Sequence, residues 1–217
     1  MIQRSRGKGQ LSEHLAIGPR RKVDAGALLY AMGQPAGSAY LVRRGLVKTS
    51  LVSPGGQELT LRLSPPGDIL GELCLCTGER REQAVALEPS EVVEIPLGTL
   101  LRRVRQDPQV ALEFISAVCQ HLADAHEELR SLSFDPVSER LVRALLGLAD
   151  SMGETGAHGR RIAHHITQEE LANMIGARRE VVSGLLNRFR DEGSISYTRG
   201  GLIEIDPEAL NARMLAR

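Results

Sequence analysis

The chain has 217 residues, of which 42% are hydrophobic and 25% are charged. These shares are ordinary for a folded globular protein and exclude a disordered or a fibrous chain. The 27 basic and 27 acidic side chains give a formal net charge of +0, so bulk charge alone does not draw this chain to nucleic acid or to a membrane.

The cysteines and the N-terminal leader bear on where the protein works. Cys74, Cys76 and Cys119 are odd in number and form no CxxC pair, which argues against a disulfide framework or a structural zinc site. The leader is basic but has no apolar run of the kind that a signal sequence needs, and no later segment approaches about 18 uninterrupted apolar residues. We therefore expect a cytoplasmic protein with no membrane anchor.

Residues 20–98 have the pattern of short strands. Alternating or β-branched apolar residues recur in four segments that turn residues separate, at 27–33, 39–52, 58–64 and 84–97. Ser53-Pro54-Gly55-Gly56 lies between two of these segments and predicts a hairpin. Many short strands at even spacing predict a sandwich, a roll or a jelly roll.

A long helix is predicted to begin at Asp107-Pro108, because proline is tolerated in the first turn of a helix. Along it, apolar residues alternate in steps of four and three, at Ala111, Ile115, Val118, Leu122, Ala125, Leu129 and Leu132. Such a heptad seam predicts pairing with an identical helix. The expected dimer interface consists of Ile115, Val118, Leu122, Ala125, Leu129 and Leu132. The alternative is a helix that packs only on the β domain of its own chain.

A second module is predicted to follow a hinge at residues 133–137. Asp135 offers a cap and Pro136 a first-turn proline for a new helix over residues 137–150. The next stretch, residues 151–161, is rich in glycine and polar residues and predicts a loop.

The segment 166–195 has the pattern of a helix-turn-helix. Thr167 precedes Glu170 by three residues, which is a capping box that opens a helix, and Gly176 provides the tight turn. The second helix carries apolar residues at helical spacing, at Val182, Leu185, Leu186 and Phe189. In such a motif the second helix enters the major groove of DNA. Residues 195–206 predict two strands around Gly200-Gly201, which would form a wing.

The outer face of the second helix carries side chains suited to DNA. Arg179 can bond guanine in bidentate fashion and Glu180 can accept from cytosine, so both are candidate base readers. Arg178 and Ser183 are candidate phosphate contacts. The expected DNA contacts are Thr167, Gln168, Arg178, Arg179, Glu180, Ser183, Asn187, Thr198 and Arg199. The alternative is an ordinary helical hairpin with solvated arginines.

Four pieces in this order resemble the CRP/FNR superfamily of dimeric bacterial regulators: residues 33–48, the PPGDILGEL segment at 65–73, the long helix, and residues 167–186. The resemblance implies an α+β chain with three parts. These are an N-terminal cyclic-nucleotide-binding-type β-roll (a jelly roll) over residues 1–106, a dimerisation helix over 107–134, and a C-terminal winged helix-turn-helix over 135–217. It implies a transcription regulator that an effector in the roll controls or that acts constitutively.

The partners that the resemblance implies are double-stranded DNA with a palindromic operator, a second copy of the chain, and RNA polymerase, for which the 151–160 loop is a candidate. The recognition helix departs from its best-known relatives, which usually carry a second arginine where this chain has Gly184. The operator half-site is therefore expected to differ from the familiar one.

The effector pocket that the resemblance implies consists of Gly71, Glu72, Leu73, Arg81, Glu82, Gln83, Ala84, Ala125 and His126. In cyclic-AMP-binding relatives an arginine and a serine hold the phosphate, where this chain has Glu82 and Gln83. A one-residue slip in a strand reverses the side chain, so Arg81 replaces the missing arginine only if a bulge intervenes. A carboxylate repels a phosphate. We therefore expect no ordinary cyclic AMP binding, and a site that is degenerate or specialised for another small effector.

Parts of the sequence also suit other functions. Haem could take an axial ligand from Cys74, Cys76, His121 or His126, and Cys74 with Cys76 could form a redox switch, but packing thiols and solvated histidines are the simpler expectation. The helix-turn-helix could instead dock a protein. No enzyme is expected, because residues 20–98 contain no histidine for a jelly-roll metal site and no phosphate loop or nucleophile elbow occurs.

Overall fold

The computed structural model describes residues 14–157 and 159–215. The described residues form two compact units, and the division between them falls between His126 and Glu127. The predicted division at 106 and 134 stays a prediction.

The described part of the first unit is built from short antiparallel strands. They are β1 (Arg20–Val23), β2 (Leu28–Tyr30), β3 (Ser38–Arg44), β4 (Val47–Val52), β5 (Glu58–Ser64), β6 (Ile69–Leu70), β7 (Gln83–Ala86) and β8 (Ser90–Pro96). They pair into two four-stranded sheets, in the orders β1-β8-β3-β6 and β2-β7-β4-β5. A 3-10 helix at Glu72–Leu75 follows β6. The predicted roll is present.

The predicted hairpin joins β4 to β5. Gly56 donates its N–H to the carbonyl of Ser53, and Ser53 Oγ accepts from the N–H of Gln57 over 3.1 Å. Gly56 has φ +79°, a conformation that a side chain disfavours. The turn therefore needs a glycine at this position, and the sequence provides one.

Helix α1 (Leu97–Gln106) was not predicted. Its residues follow a strand-like segment without a capping signal, and its N-cap Pro96 makes no side-chain hydrogen bond. The signal that could have revealed it is helical spacing, because Leu97, Leu100 and Val104 all pack against the core of the roll. Each fully buried leucine contributes about 1.5–3 kcal/mol, so α1 is held by its apolar face.

Helix α2 (Pro108–Phe134) is the predicted long helix. Its start is capped by Asp107, whose Oδ1 accepts from the N–H of Gln109 over 3.0 Å. Val110 and Phe114 are buried in the core of the roll. The first turns of α2 are therefore part of the roll.

The second unit contains α3 (Val137–Met152), β9 (Gly153–Gly156), β10 (Gly159–Ile162), α4 (Gln168–Met174), α5 (Arg179–Asp191), β11 (Ile195–Tyr197), β12 (Ile203–Ile205) and α6 (Pro207–Leu215). Its strands form one antiparallel sheet in the order β11-β12-β10-β9. The prediction of a loop at residues 151–161 is wrong. The end of α3 and a hairpin occupy this stretch, and the Glu204 carboxylate fixes the turn by accepting from the N–H of Ala157 over 2.8 Å.

Of the hinge predicted at residues 133–137, only Asp135 and Pro136 lie between α2 and α3, and Asp135 does not cap α3. The N-cap is Pro136, which makes no side-chain hydrogen bond. The Asp135 carboxylate instead accepts from both terminal nitrogens of Arg130, over 3.2 and 3.1 Å, and from Nε of Arg143 over 2.8 Å. Two guanidiniums outcompete the backbone N–H groups for this carboxylate, since charge-assisted bonds are the stronger ones.

Within the described ranges, no helix is long and apolar enough to cross a bilayer.

Candidate functional site

The first helix of the helix-turn-helix begins with the predicted capping box. Thr167 Oγ1 accepts from the N–H of Glu170 over 3.1 Å, and Glu170 Oε2 accepts from the N–H of Thr167 over 2.8 Å. Leu171 and Ile175 are buried and Met174 is half-buried. The box fixes where α4 begins, but it also engages the Thr167 hydroxyl, which was predicted to contact DNA.

Gly176 forms the turn between the two helices. It has φ +58°, and a Cβ built on it would lie 3.1 Å from Cδ2 of Leu132. Both the backbone conformation and the space therefore favour glycine. Helix α5 then begins after only two further residues.

Helix α5 has one buried and one exposed side. Val182, Leu186 and Phe189 are buried, and Leu185, also predicted inward, is half-buried. The predicted DNA contacts at the start of α5 are exposed: Arg178, Arg179 and Glu180 lie in its cap and first turn. Farther along, Ser183 is half-buried and Asn187 is exposed.

The wing is the hairpin of β11 and β12, which pair antiparallel. Thr198 Oγ1 accepts from the N–H of Leu202 over 3.1 Å and tightens the turn, while Arg199 is exposed at the tip. The Thr198 hydroxyl therefore supports the wing in addition to any contact with DNA.

A cleft of about 400 Å³ lies where the wing, the start of α4 and the start of α5 meet. Three of the predicted DNA contacts line it, namely Thr167, Gln168 and Arg179. The cleft also includes His165 and Tyr197, which the sequence analysis missed. Their positions in the sequence could have indicated them, because His165 lies beside the capping box and Tyr197 lies in the predicted wing.

The arginines around this surface differ in their pairing. Arg190 lies 3.4 Å from Asp191, and Arg213 pairs with Glu192 and stacks over the Phe189 ring at 4.5 Å. Within the described ranges no ion pair is formed by Arg178, Arg179 or Arg199. Free guanidiniums gathered beside a helix start are suited to bind phosphate oxygens and base edges.

The second candidate site lies in the roll, around Arg80, which was not among the predicted pocket residues. Arg80 is buried, and its guanidinium donates to the carbonyls of Gly71 over 3.2 Å and Ser38 over 2.6 Å. It also lies 4.2 Å from the ring centroid of Tyr30 and 5.4 Å from that of Tyr40. These contacts engage both terminal nitrogens with backbone carbonyls and place the guanidinium over two rings, while Nε is buried and makes no hydrogen bond to a described residue.

Glu82 stands where an anion-binding arginine was expected. It accepts a hydrogen bond from the Tyr30 hydroxyl over 3.0 Å. Burial and the negative charge of Glu72 raise the pKa of Glu82, and burial together with Glu82 also raises the pKa of Tyr30. Glu82 offers no positive charge where an arginine would hold a phosphate, so this position is unfavourable for a phosphate.

Gln83 belongs to a different polar cluster. Its amide donates to Ser50 over 3.2 Å and to Glu58 over 3.4 Å, and Lys48 donates to Glu58 over 2.9 Å. Burial raises the pKa of Glu58, but the hydrogen bonds from Lys48 and Ser50 lower it further, so that the net pKa lies below its ordinary value. This cluster is saturated by its own members.

Glu72 is the carboxylate that the pocket prediction placed at its centre. Its Oε1 lies 3.4 Å from Nη2 of Arg62 and 2.8 Å from Nδ1 of His121 on α2. The expectation that His121 is solvated is therefore wrong. In contrast, Ala125 and His126 are exposed.

Arg81, too, does not join the pocket, because it is exposed while its neighbour Arg80 is buried. Both Arg81 and Glu82 lie in a bend before β7, which begins at Gln83. Leu73 is 42% exposed. Of the predicted residues, Glu72 and Glu82 lie close enough for the charge of Glu72 to raise the pKa of Glu82, while Ala84 is buried in the core of the roll.

The cysteines of the redox and haem alternatives lie in different surroundings. Cys74 is buried in the core of the roll, and burial raises the pKa of its thiol. Cys76 and Cys119 are exposed. In the part of the chain that the structure describes, no group of three or more histidine, cysteine or acidic side chains is placed to hold a metal ion.

The predicted seam of α2 is largely uncovered in the single chain. Leu129 is 63% exposed, Leu122 55% and Ile115 54%. Val118 and Ala125 are also exposed, and Ala111 and Leu132 are half-buried. Large apolar side chains in a regular exposed row indicate a surface that another molecule covers.

Comparisons with known proteins identify both parts of the chain. Residues 20–107 match the model of the cyclic nucleotide-binding domain, and residues 139–213 match the model of the Crp-like helix-turn-helix domain. The anaerobic regulatory protein of Bacillus subtilis is 31% identical over 190 residues, which cover 87% of this chain and 80% of that protein. The cyclic AMP receptor protein of Thermus thermophilus is 34% identical over 193 residues, covering 88% and 85%.

The chain belongs to the CRP/FNR family of transcription regulators. A solved structure of a CRP/FNR-family regulator from Thermus thermophilus is similar in fold, with a TM-score of 0.74 and 27% identity, over 92% of this chain and 100% of that one. This CRP/FNR regulator therefore has an effector-binding β domain and a DNA-binding helix-turn-helix with a small sheet. The predicted family, the α+β fold class and the absence of enzymatic function are confirmed.

Proposed function

We propose that this CRP/FNR regulator works in the cytoplasm as a homodimer that reads a palindromic operator, with one α5 helix in each half-site. Arg179 and Glu180 contact base edges, and Arg178 and Ser183 contact phosphates. The remaining contacts from the chain are Thr167, Gln168, Asn187, Thr198 and Arg199. The observation that carries the proposal is the exposed start of α5, where two adjacent arginines, Arg178 and Arg179, are exposed without an ion pair to a described residue.

The cleft between wing and helix-turn-helix supports the same proposal. It brings Arg179 of α5 into one concave surface with Gln168 and Tyr197. Recognition helix and wing are spaced to contact base edges and the backbone beside them.

The exposed seam of α2 supports the homodimer. A second copy offers the same row of apolar residues, so a two-fold pairing covers both rows at once. Burying an exposed leucine side chain contributes about 1.5–3 kcal/mol. Pairing also brings two helix-turn-helix units to one DNA molecule.

For the contact with RNA polymerase, the hairpin of β9 and β10 is the proposed element. Glu154 and Thr155 are exposed on it, and the N–H of Ala157 donates a hydrogen bond to the carboxylate of Glu204 on β12.

For the roll, we propose an effector without a phosphate group. Lys48 and Arg80 are engaged by protein groups, Arg62 lies against the Glu72 carboxylate, and Glu82 occupies the expected phosphate position. Cyclic AMP is therefore expected not to raise the melting temperature of the protein in a thermal-shift assay. A clear rise would overturn this part of the proposal, because a ligand at 100 times its Kd adds about 2.7 kcal/mol of stability.

A salt-titrated DNA-binding assay tests the proposed function. Phosphate contacts release counterions, so the logarithm of the binding constant falls with the logarithm of salt with a slope of about −0.9 per contact. We expect a steep slope on the operator and weak binding to unrelated DNA, because residues 136–217 carry as many acidic as basic side chains. A helix-turn-helix that docks a protein instead would show no such slope.

A further inference from the structure

The Glu72 carboxylate joins three elements of the first unit. It follows β6, and its Oε1 is contacted by Arg62 of β5 over 3.4 Å and by His121 of α2 over 2.8 Å. The side chains are only 12% exposed for Glu72 and 19% for His121. The contact therefore fastens the long helix to the wall of the roll at a mostly buried carboxylate.

The charge state of Glu72 makes this contact a strong one. Burial raises the pKa of Glu72, but the hydrogen bond from His121 and the charge of Arg62 lower it further, and the net pKa lies below its ordinary value. Glu72 is thus ionised at neutral pH. A buried carboxylate needs donors, and an ionised carboxylate only accepts hydrogen bonds, so Nδ1–H of His121 donates.

The other oxygen of Glu72 is not used in this way. Oε2 is buried, and no described residue donates a hydrogen bond to it. Arg62 and His121 therefore contact one oxygen of the carboxylate, while the second oxygen can still accept a hydrogen bond.

We propose that His121 is the internal occupant of the effector site, which holds Glu72 in the free roll and is displaced when an effector donates to that carboxylate. The inference rests on the proposed function, since it assigns the effector to the region of Glu72. The group that replaces His121 is a hydroxyl or an amine, because only a donor satisfies the carboxylate.

The displacement couples the effector to the long helix. The effector and the His121 contact compete for Glu72, so each weakens the other by the same free energy. Binding of the effector releases α2 from the wall of the roll at this point. No small molecule is needed to hold α2 there in the free protein.

A binding measurement on the full chain tests this competition. The probe is adenosine, the nucleoside of cyclic AMP without the phosphate that Glu82 disfavours, and its vicinal hydroxyls can donate to one carboxylate. The variant His121→Ala removes the occupant. The matched control is His126→Ala, which changes an exposed histidine on the same helix.

We expect His121→Ala to bind adenosine at least about tenfold more tightly than the wild-type chain in isothermal titration calorimetry, a difference equal to about 1.4 kcal/mol. The control is expected to bind as the wild type does. Equal affinities of all three proteins, or no binding to His121→Ala, would overturn the proposal.

A second measurement keeps the proposal testable should His121→Ala be unstable. Urea unfolding of Glu72→Gln, His121→Ala and the double variant forms a cycle. We expect each single variant to lower the urea midpoint by about 0.5 M, and the double variant to lower it by less than the sum. Additive losses contradict the contact. Neither measurement contains DNA, so a failure here is distinct from a failure of the DNA-binding proposal.

Discussion

The Tyr30 hydroxyl donates a hydrogen bond to Oε1 of Glu82 over 3.0 Å, inside the wall of the roll. A carboxyl thus occupies the position at which the CRP/FNR resemblance leads one to expect an arginine. Burial raises its pKa above the ordinary 4.5. The roll therefore offers an anionic ligand no positive charge at this point, and the stability of the protein depends on the protonation of Glu82.

Replacing Glu82 with glutamine is expected to stabilise the protein at pH 8. A carboxyl whose pKa is raised by folding contributes its full stability below the unfolded pKa and loses it as the pH rises through the folded value. Glutamine keeps the acceptor for Tyr30 and cannot ionise. The urea midpoint of Glu82→Gln should exceed that of the wild type at pH 8, and the gain should shrink as the pH falls through the folded pKa towards the ordinary value of 4.5.

The control for this prediction is Glu79→Gln, which changes an exposed carboxylate in the same loop. It should leave the midpoint unchanged at both pH values. A lower midpoint for Glu82→Gln at pH 8 would show that the ionised carboxylate stabilises the roll.

Asp135 offers a second pH test, because folding shifts its pKa in the direction opposite to that of Glu82. Its hydrogen bond from Arg130 lowers its pKa below the ordinary 3.8, so its contribution is present above that value and is lost as the pH falls through the folded pKa. Arg130 and Arg143 are 39% and 37% exposed, so solvent screens their pairing with Asp135. Asp135→Asn should therefore lower the urea midpoint only modestly at pH 7, and the loss should diminish in acid.

The comparison for Asp135 is Asp150→Asn, a change of an exposed carboxylate on α3. If both variants lose equally little stability, then the hydrogen bonds from Arg130 and Arg143 to Asp135 do not stabilise the protein.

How well the sequence predicted the fold depended on whether the signals were local. The turn at Gly56, the capping box of Thr167 and the glycine turn at Gly176 were predicted because each needs a particular residue at one position. The hairpin of β9 and β10 was missed because its pairing with β12 is made by residues distant in sequence.

The effector pocket was harder to predict for the same reason. That Arg80 rather than Arg81 turns inward depends on where β7 begins, and that His121 rather than His126 reaches Glu72 depends on how α2 packs on the roll. The spacing of residues in one sequence reveals neither where β7 begins nor how α2 packs on the roll. The resemblance to the family supplied the neighbourhood of Glu72 but not its partners.

Replacing Arg179 with alanine is expected to weaken binding to the operator and to relax the preference at one base pair. A base-reading arginine contributes about 1–3 kcal/mol, which corresponds to a loss of roughly five- to 150-fold in affinity. Fluorescence anisotropy with the operator and with single-base variants of it measures both effects.

Arg190→Ala is the matched control for Arg179, because this exposed arginine of the same helix lies beside Asp191 at the far end of α5. It should alter operator binding little. A loss that is uniform over all DNA sequences would contradict base reading by Arg179 and would assign it to a phosphate.

Replacing Leu122 with glutamate is expected to break the dimer. The change places a charge in the centre of the exposed seam of α2, where each copy would otherwise bury a leucine. Loss of two such burials raises the dissociation constant of the dimer on the order of 100-fold or more. Sedimentation velocity measures the change.

Ser116→Glu introduces the same charge on an exposed position of α2 that lies off the seam. This variant should remain a dimer. A wild-type chain that sediments as a monomer at all concentrations would contradict the proposed interface.

The most direct test of the account is the selection of DNA from a random pool by the wild-type protein, followed by sequencing of the bound duplexes. A homodimer that places one α5 helix in each half-site predicts a palindrome with half-sites about one helical turn, roughly 10–10.5 base pairs, apart. Recovery of such a palindrome is the expected result. Recovery of a single unrepeated site, or of no enriched sequence, would contradict the account.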